Sequence, residues 1–318
     1  MVLEKVRPKM AVSDFLVEQP NQCPPNLMEQ AASRAPVRLA VAAAGAPLPM
    51  EAVHSSVAAG LATPVLFGDP ARISAEAERI GFDLAQAEVV PCSSDEEAAQ
   101  NAAKACGDGT TDALMKGGLH TDVFMKAAVS RDNGLRIGQR FVHLFALYPS
   151  GGGDPLLISD AAVNVAPNDE ALRAALSNMI AVAQRLGTER PKIALLSATE
   201  HPIPSVPSSE TMNGLQKWAE AQEFIADVRG PLALDLILST EAARIKGLIN
   251  DTVAGQANGI IVPDLVSGNV LFKALVYLSG AVAAGVIAGA KVPILLTSRA
   301  DPPAARLASI ALASILRS

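Results

Sequence analysis

From Arg38 onwards, short apolar runs alternate with longer amphipathic stretches, and the turns between them carry glycine, proline or aspartate. The first units read as a strand at 39–43, a helix at 49–60, a strand at 64–67 and a helix closing at Gly81. A strand at 88–90, a helix at 95–106 and a strand at 113–115 follow. Strands separated by helices line up as βαβ units, so the pattern predicts a largely parallel sheet covered by helices. The rhythm breaks once. Residues 141–148, the turn Gly151-Gly152-Gly153-Asp154 and residues 156–158 read as a β-hairpin, which marks a domain boundary near residue 140. Alternation then resumes, with helices over 169–186, 208–221 and 241–248 and strands over 192–196 and 259–262. A helix after Asp264, a buried strand, a strand at 293–297 and a helix at 302–316 close the chain. The fold class expected is α/β.

A length of 318 residues is about twice that of a single domain, so two α/β units are expected. Residues 1–36, with Pro20, Pro24, Pro25 and Pro36, read as a loosely attached leader holding one short helix at 26–33. The net charge of −6 and the 3% aromatic content argue against nucleic acid, which attracts basic and stacking residues. Cys23, Cys92 and Cys106 form no Cys-x-x-Cys pair, and the histidines are dispersed without zinc-site spacing. No metal site is therefore expected, and the cysteine usage fits the cytoplasm. Residues 274–290 carry no charge but fall short of the roughly 20 residues of a membrane span, and three glycines interrupt them. They read as a helix end followed by a buried strand, with no membrane partner. No apolar run follows the basic N-terminal residues, so no signal peptide is expected.

Common signatures are missing. No G-x-G-x-x-G follows a strand, no P-loop spacing occurs and no G-x-S-x-G elbow is present. Three segments carry chemistry instead. In Thr297-Ser298-Arg299-Ala300-Asp301-Pro302-Pro303 a strand runs into a helix start, the edge of an α/β sheet where ligands bind. The two prolines lack N–H groups, so an anion there would depend on the Ser298 hydroxyl and the Arg299 fork. Asp301 has two readings, an N-cap ahead of proline or a working carboxylate. Met115-Lys116-Gly117-Gly118-Leu119-His120-Thr121 is a second strand-to-helix turn, equally an anion site or a capped loop with a solvated lysine. After Pro263-Asp264-Leu265, the residues Asn269, Lys273 and Tyr277 form a polar stripe, a solvated face or a functional one. Val270, Leu271, Ala274, Leu275 and Leu278 then form the apolar face. Asp160 and Asn164, after the hairpin, are similarly ambiguous.

Together and in this order the strings resemble the phosphate acetyl/butyryltransferase (phosphotransacylase) family. They are Met115-Lys116-Gly117 with Thr121, Ser159-Asp160-Ala161-Ala162-Val163-Asn164 and Gly230-Pro231-Leu232-Ala233-Leu234-Asp235. Residues 253–258, Pro263-Asp264-Leu265 with Gly268-Asn269, and Ser298-Arg299 complete the set. The likeness runs from about residue 38 to the C-terminus. It implies two α/β domains with an interdomain cleft, related to isocitrate and isopropylmalate dehydrogenases. It also implies that residues 288–318 return to a first domain of 37–136, leaving 137–287 as the second, and that the enzyme is a homodimer.

The reaction implied is reversible: acyl-CoA plus inorganic phosphate gives acyl phosphate plus CoA. CoA is a substrate, and no cofactor is tightly bound. In the family mechanism the CoA thiolate attacks the acyl phosphate within a ternary complex. The resemblance assigns transition-state stabilisation to Ser298 and phosphate binding to Arg299. Substrate binding is expected at Lys116, Gly117, Thr121, Lys126, Arg136, Asp160, Asn164, Asn269 and Lys273. Two departures stand out. Acetyl-type members carry an aspartate base seven residues after the serine, where this chain has Ala305; Asp301, three residues after it, is the acid adjacent to Ser298 and Arg299 and the base expected here. Lys126 stands where relatives have arginine and gives up the bidentate grip on phosphate. Two alternatives are a catalytically silent relative that binds CoA or acyl phosphate, and a dehydrogenase of the same fold. The sequence shows neither the metal-binding aspartates nor the cofactor loop that a dehydrogenase needs. The acyl chain length, from acetyl to butyryl, is left open.

Overall fold

The computed structural model describes residues 12–296 and 301–317. Among these residues one sheet contains β1 (Val37–Ala42), β2 (Ala62–Gly68), β3 (Glu88–Pro91), β4 (Ala113–Lys116), β5 (Val142–Tyr148) and β6 (Leu156–Ser159). It continues through β7 (Lys192–Leu196), β8 (Asp227–Leu232), β9 (Gly259–Ile261), β10 (Val282–Ala288) and β11 (Ile294–Leu295). The order across the sheet is β3-β2-β1-β4-β11-β10-β5-β6-β9-β7-β8. The first five of these strands are mutually parallel, as are the last four. β10 and β5 stand between them, antiparallel to each other and to their outer neighbours. Three reversals leave the two parallel groups running in opposite directions. The α/β class with a mostly parallel sheet is thus as expected, and the hairpin at β5–β6 is where the pattern changes.

The helices are α1 (Pro25–Ala32), α2 (Pro47–Ala58), α3 (Pro70–Ile80), α4 (Asp95–Gly107), α5 (Thr121–Val129) and α6 (Asp169–Arg185). They continue with α7 (Pro207–Glu220), α8 (Leu234–Leu238), α9 (Thr240–Ile245), α10 (Leu265–Ser279) and α11 (Pro303–Leu316). Local chemistry sets their ends. Asp69 accepts from the Ala71 N–H at 2.9 Å ahead of Pro70, and Gly81 closes α3 in the left-handed region at φ 68°. Asp264 accepts from the Ser267 N–H at 2.8 Å to open α10. Helix α11 is buried along nearly its whole length, because its alanines let it approach β10 closely. Ser309 on α11 accepts the Gly285 backbone N–H at 2.9 Å.

Local features differ from the sequence pattern. The leader is packed rather than loosely attached: Leu27 and Ala31 of α1 are buried against α11, and Gln30 Nε2 donates to the Arg185 carbonyl at 2.8 Å. The leader's first 11 residues lie outside the described residues. Strand β8 has no counterpart in the sequence pattern, because Gly230-Pro231 interrupts its apolar run; it forms as an edge strand, where a missing N–H is tolerated. The strand expected over 293–297 pairs only at Ile294–Leu295, and Thr297 lies outside the described residues. Finally, the apolar face read for α10 is only partly buried: Val270 and Leu278 are 62% and 49% exposed, while the Asn269–Lys273–Tyr277 stripe lines a cleft. Residues 274–290 divide between α10 and β10, and no helix among the described residues is long and apolar enough to cross a membrane.

Candidate active site

A cleft of about 610 Å³ opens on the sheet where β4 and β11 end. Lys116, at the end of β4, and His120 and Thr121, at the start of α5, line one side. Gly117 is what allows this turn, since a Cβ there would collide with the Ala42 and Ala43 carbonyl oxygens. Its place is in packing; it does not border the cleft. Leu296 and Asp301, which flank residues 297–300, line a second side. His143 and Phe145 of β5, with Ala161 and Ala162 after β6, form the floor. Asn269, Phe272, Lys273 and Tyr277 of α10 form the remaining wall. Gln19 reaches the same cleft from the leader, whose Val17 N–H donates to the Tyr277 carbonyl at 2.9 Å.

Five residues expected from the sequence therefore meet here: Lys116, Thr121, Asn269, Lys273 and Asp301. Lys116 is only 9% exposed, so its ammonium is held in a largely desolvated position. Helix α5 begins at Thr121 without a side-chain cap. Helix α11 begins at Pro303 with Pro302 as its N-cap, so Asp301 precedes the cap position and the capping reading is overturned. The first turn of this helix lies one residue later than the aspartate–proline pair suggested. The Asp301 carbonyl accepts instead from the buried Arg306 guanidinium, whose Nη2 is 4.0 Å from Glu51. Ala305 is buried in α11.

Asp160 and Asn164, expected to bind substrate, do not line the cleft. The Asp160 carboxylate, 5% exposed, accepts from the Ala162 and Val163 N–H groups at 2.9 Å each and from His143 N–H at 3.0 Å. It also takes the Asn164 side-chain amide at 2.6 Å, and that amide donates to the Phe141 carbonyl at 3.0 Å. Its lone pairs are filled by the loop that presents Ala161 and Ala162. Lys126 and Arg136 are exposed and neither lines the cleft. Ser298 and Arg299 lie outside the described residues. Among those that are described, no group of three histidine, cysteine, aspartate or glutamate side chains is placed to hold a metal ion.

Sequence reasoning missed the aromatic floor. His143 and Phe145 alternate along β5 and so share a face. Their ring centroids lie 4.3 Å apart, and Phe145 stacks on Phe272 at 3.9 Å with planes 2° apart. The signal was available, since a histidine inside an apolar strand of a chain with 3% aromatics is unusual. Burial pushes the His143 imidazole down to about 4, against the opposite pull of the Asp160 carboxylate. Gly285 on β10 leaves room for both rings: a Cβ there would stand 2.8 Å from Phe145 Cε1 and 3.1 Å from His143 Cε1. Gly285→Ala should therefore displace the floor and lower stability by about 1–3 kcal/mol, measurable by chemical denaturation.

The sequence profile of the phosphate acetyl/butaryl transferase family matches residues 95–314. The phosphate acetyltransferase of Rhizobium meliloti is 42% identical over 257 residues, 80% of this chain and 81% of that protein. The phosphate butyryltransferase of Clostridium acetobutylicum is 34% identical over 281 residues, 88% of this chain and 93% of that protein. Among solved structures, a branched-chain phosphotransacylase from Enterococcus faecalis V583 superposes with a TM-score of 0.79 at 29% identity, covering 89% of this chain and 100% of that one. A 4-hydroxythreonine-4-phosphate dehydrogenase from Klebsiella pneumoniae shares the fold alone, with a TM-score of 0.54 at 12% identity over 88% of this chain and 99% of that one. Fold and relatives agree on the class, an α/β acyltransferase. The chain belongs to the phosphate acetyl/butyryl transferase family.

Proposed function

We propose that the protein transfers a short acyl group, acetyl, propionyl or butyryl, reversibly between CoA and phosphate, and that the reaction takes place in the cleft at the ends of β4 and β11. The observation that carries this reading is the meeting of Lys116, Thr121, Asn269, Lys273 and Asp301 around one cavity. The cations and the uncapped start of α5 suit the phosphoryl group, and Phe145 and Phe272 offer an apolar wall to the acyl chain. CoA enters as a substrate. Its thiol, with a pKa near ~8.5, is mostly protonated at neutral pH and needs a base. In our reading Asp301 takes that proton, the thiolate attacks the acyl carbon directly, and phosphate leaves with the bonding electron pair. To Ser298 we assign stabilisation of the transition state and to Arg299 the hold on phosphate, the roles that the family resemblance gives this pair. Lys126 and Arg136 take no part in it.

We place residues 37–136 and 288–318 on one side of the cleft and 137–287 on the other, an arrangement like that of isocitrate and isopropylmalate dehydrogenases. Copies of the chain pair as homodimers in the cytoplasm. Support for pairing comes from the outward face of α10, where Val266 and Val270 are 69% and 62% exposed. Light scattering should give a dimer mass, and Val270→Asp should give a monomer.

The reading is tested by mixing CoA with acetyl, propionyl or butyryl phosphate and following thioester absorbance. Thioester formation with at least one is expected; none with any would overturn it. In the same assay Ser298→Ala should lower turnover about 10²-fold, as for a lost oxyanion donor. Arg299→Ala should mainly raise the Michaelis constant for acyl phosphate.

A further inference from the structure

We propose that His143 is a catalytic residue whose Nε2–H donates a hydrogen bond to the acyl oxygen as negative charge develops there. The proposal rests on the acyl-transfer reading above and adds to it a residue in contact with the reacting carbonyl.

His143 is 1% exposed and lines the cleft. It is held on every side that the fold controls. The backbone N–H of His143 is fixed on Asp160 at 3.0 Å, and the imidazole packs on Phe145, itself stacked on Phe272. Yet Nδ1 is enclosed and has no hydrogen-bond partner among the described residues. A histidine kept for packing normally satisfies its nitrogens, and a phenylalanine would fill this space without the unpaired polar atom. The fold therefore retains an imidazole on the floor of a cleft at the expense of an orphaned nitrogen.

Burial keeps the ring neutral, so it carries a single N–H. A proton on Nδ1 would be a buried donor without an acceptor, whereas a lone pair there is the less unfavourable arrangement. The proton accordingly sits on Nε2, the nitrogen we assign to the ligand. An imidazole so reluctant to take a proton is too weak a base for the thiol, but it serves well as a donor. In the step itself the thiolate sulfur forms the C–S bond, and the carbonyl π pair moves onto the oxygen facing Nε2–H. That pair then returns as the C–O bond to phosphate breaks, and phosphate departs with its electrons. The thiol proton goes to Asp301, and His143 keeps its own proton throughout.

Three variants test this, each assayed with CoA and acyl phosphate and melted in parallel. His143→Phe keeps an aromatic ring and removes both nitrogens; kcat should fall about 10²-fold while the melting midpoint stays equal or rises. His143→Gln carries an amide N–H to the neighbourhood of Nε2, and His143→Asn carries one to the neighbourhood of Nδ1, so Gln should retain more kcat than Asn. A purely structural role predicts the reverse for stability and no difference between the amides. If the wild-type protein turns over and His143→Phe matches its kcat, or if Gln is no better than Asn, the proposal is overturned and the acyl-transfer reading stands. If the wild-type protein makes no thioester, both fall.

Discussion

Replacing Asp301 by asparagine should lower turnover at neutral pH by about 10²- to 10⁴-fold, the range expected for loss of a general base. The substitution keeps size and polarity. Because the N-cap of α11 is Pro302, no capping hydrogen bond is lost; the carboxylate charge beside the buried Arg306 is, so a modest fall in the melting midpoint is expected. As pH rises toward the thiol pKa of roughly 8.5, solvent supplies the thiolate unaided, so the asparagine variant should recover activity there. Assays of both proteins across pH 6–9 give the comparison. A variant with wild-type turnover at neutral pH would remove Asp301 from the mechanism. Ala305 offers no replacement, since a buried alanine has no proton acceptor in its side chain.

Asp160→Ala should act through the fold instead. Truncation leaves the Ala162, Val163 and His143 N–H groups and the Asn164 amide without the carboxylate that now accepts them, in a site only 5% exposed. Several buried donors orphaned at once should cost about 3–5 kcal/mol, read by urea or guanidinium unfolding. Asp160→Asn keeps one acceptor oxygen but turns an amide N–H toward donors, so it should fall between wild type and alanine. Turnover should fall with stability in both variants, because Ala161, Ala162 and His143 belong to the cleft floor. That coupling separates Asp160 from Asp301, where the loss of activity should far exceed any loss of stability.

Much of the scaffold was legible because it is written in local chemistry. Asp69-Pro70 and Gly81 bracket α3, Asp264 opens α10, and the glycine turn after Tyr148 makes the hairpin. What failed was information held elsewhere in the chain. Helix α10 is apolar on most of its surface, so its sequence did not tell that Val270 and Leu278 would stay exposed. Asp160 looks like a ligand contact because it is a carboxylate in a polar loop, and only the fold reveals how many N–H groups converge on it. His143 reads as one more core residue of β5 until α10 and β4 bring a cavity to its ring. The Asp301-Pro302-Pro303 start admits a helix one residue either way, and that single step takes Asp301 out of the cap position.

The central claim is that CoA and acyl phosphate meet in one cleft and react directly. Initial velocities of thioester formation, measured with both substrates varied in a grid, test it most directly. Direct transfer within a ternary complex predicts double-reciprocal lines that intersect, with no acyl group left on the protein after mixing with acyl phosphate alone. Parallel lines with an isolable acyl-enzyme, or no thioester at any concentration, would contradict it.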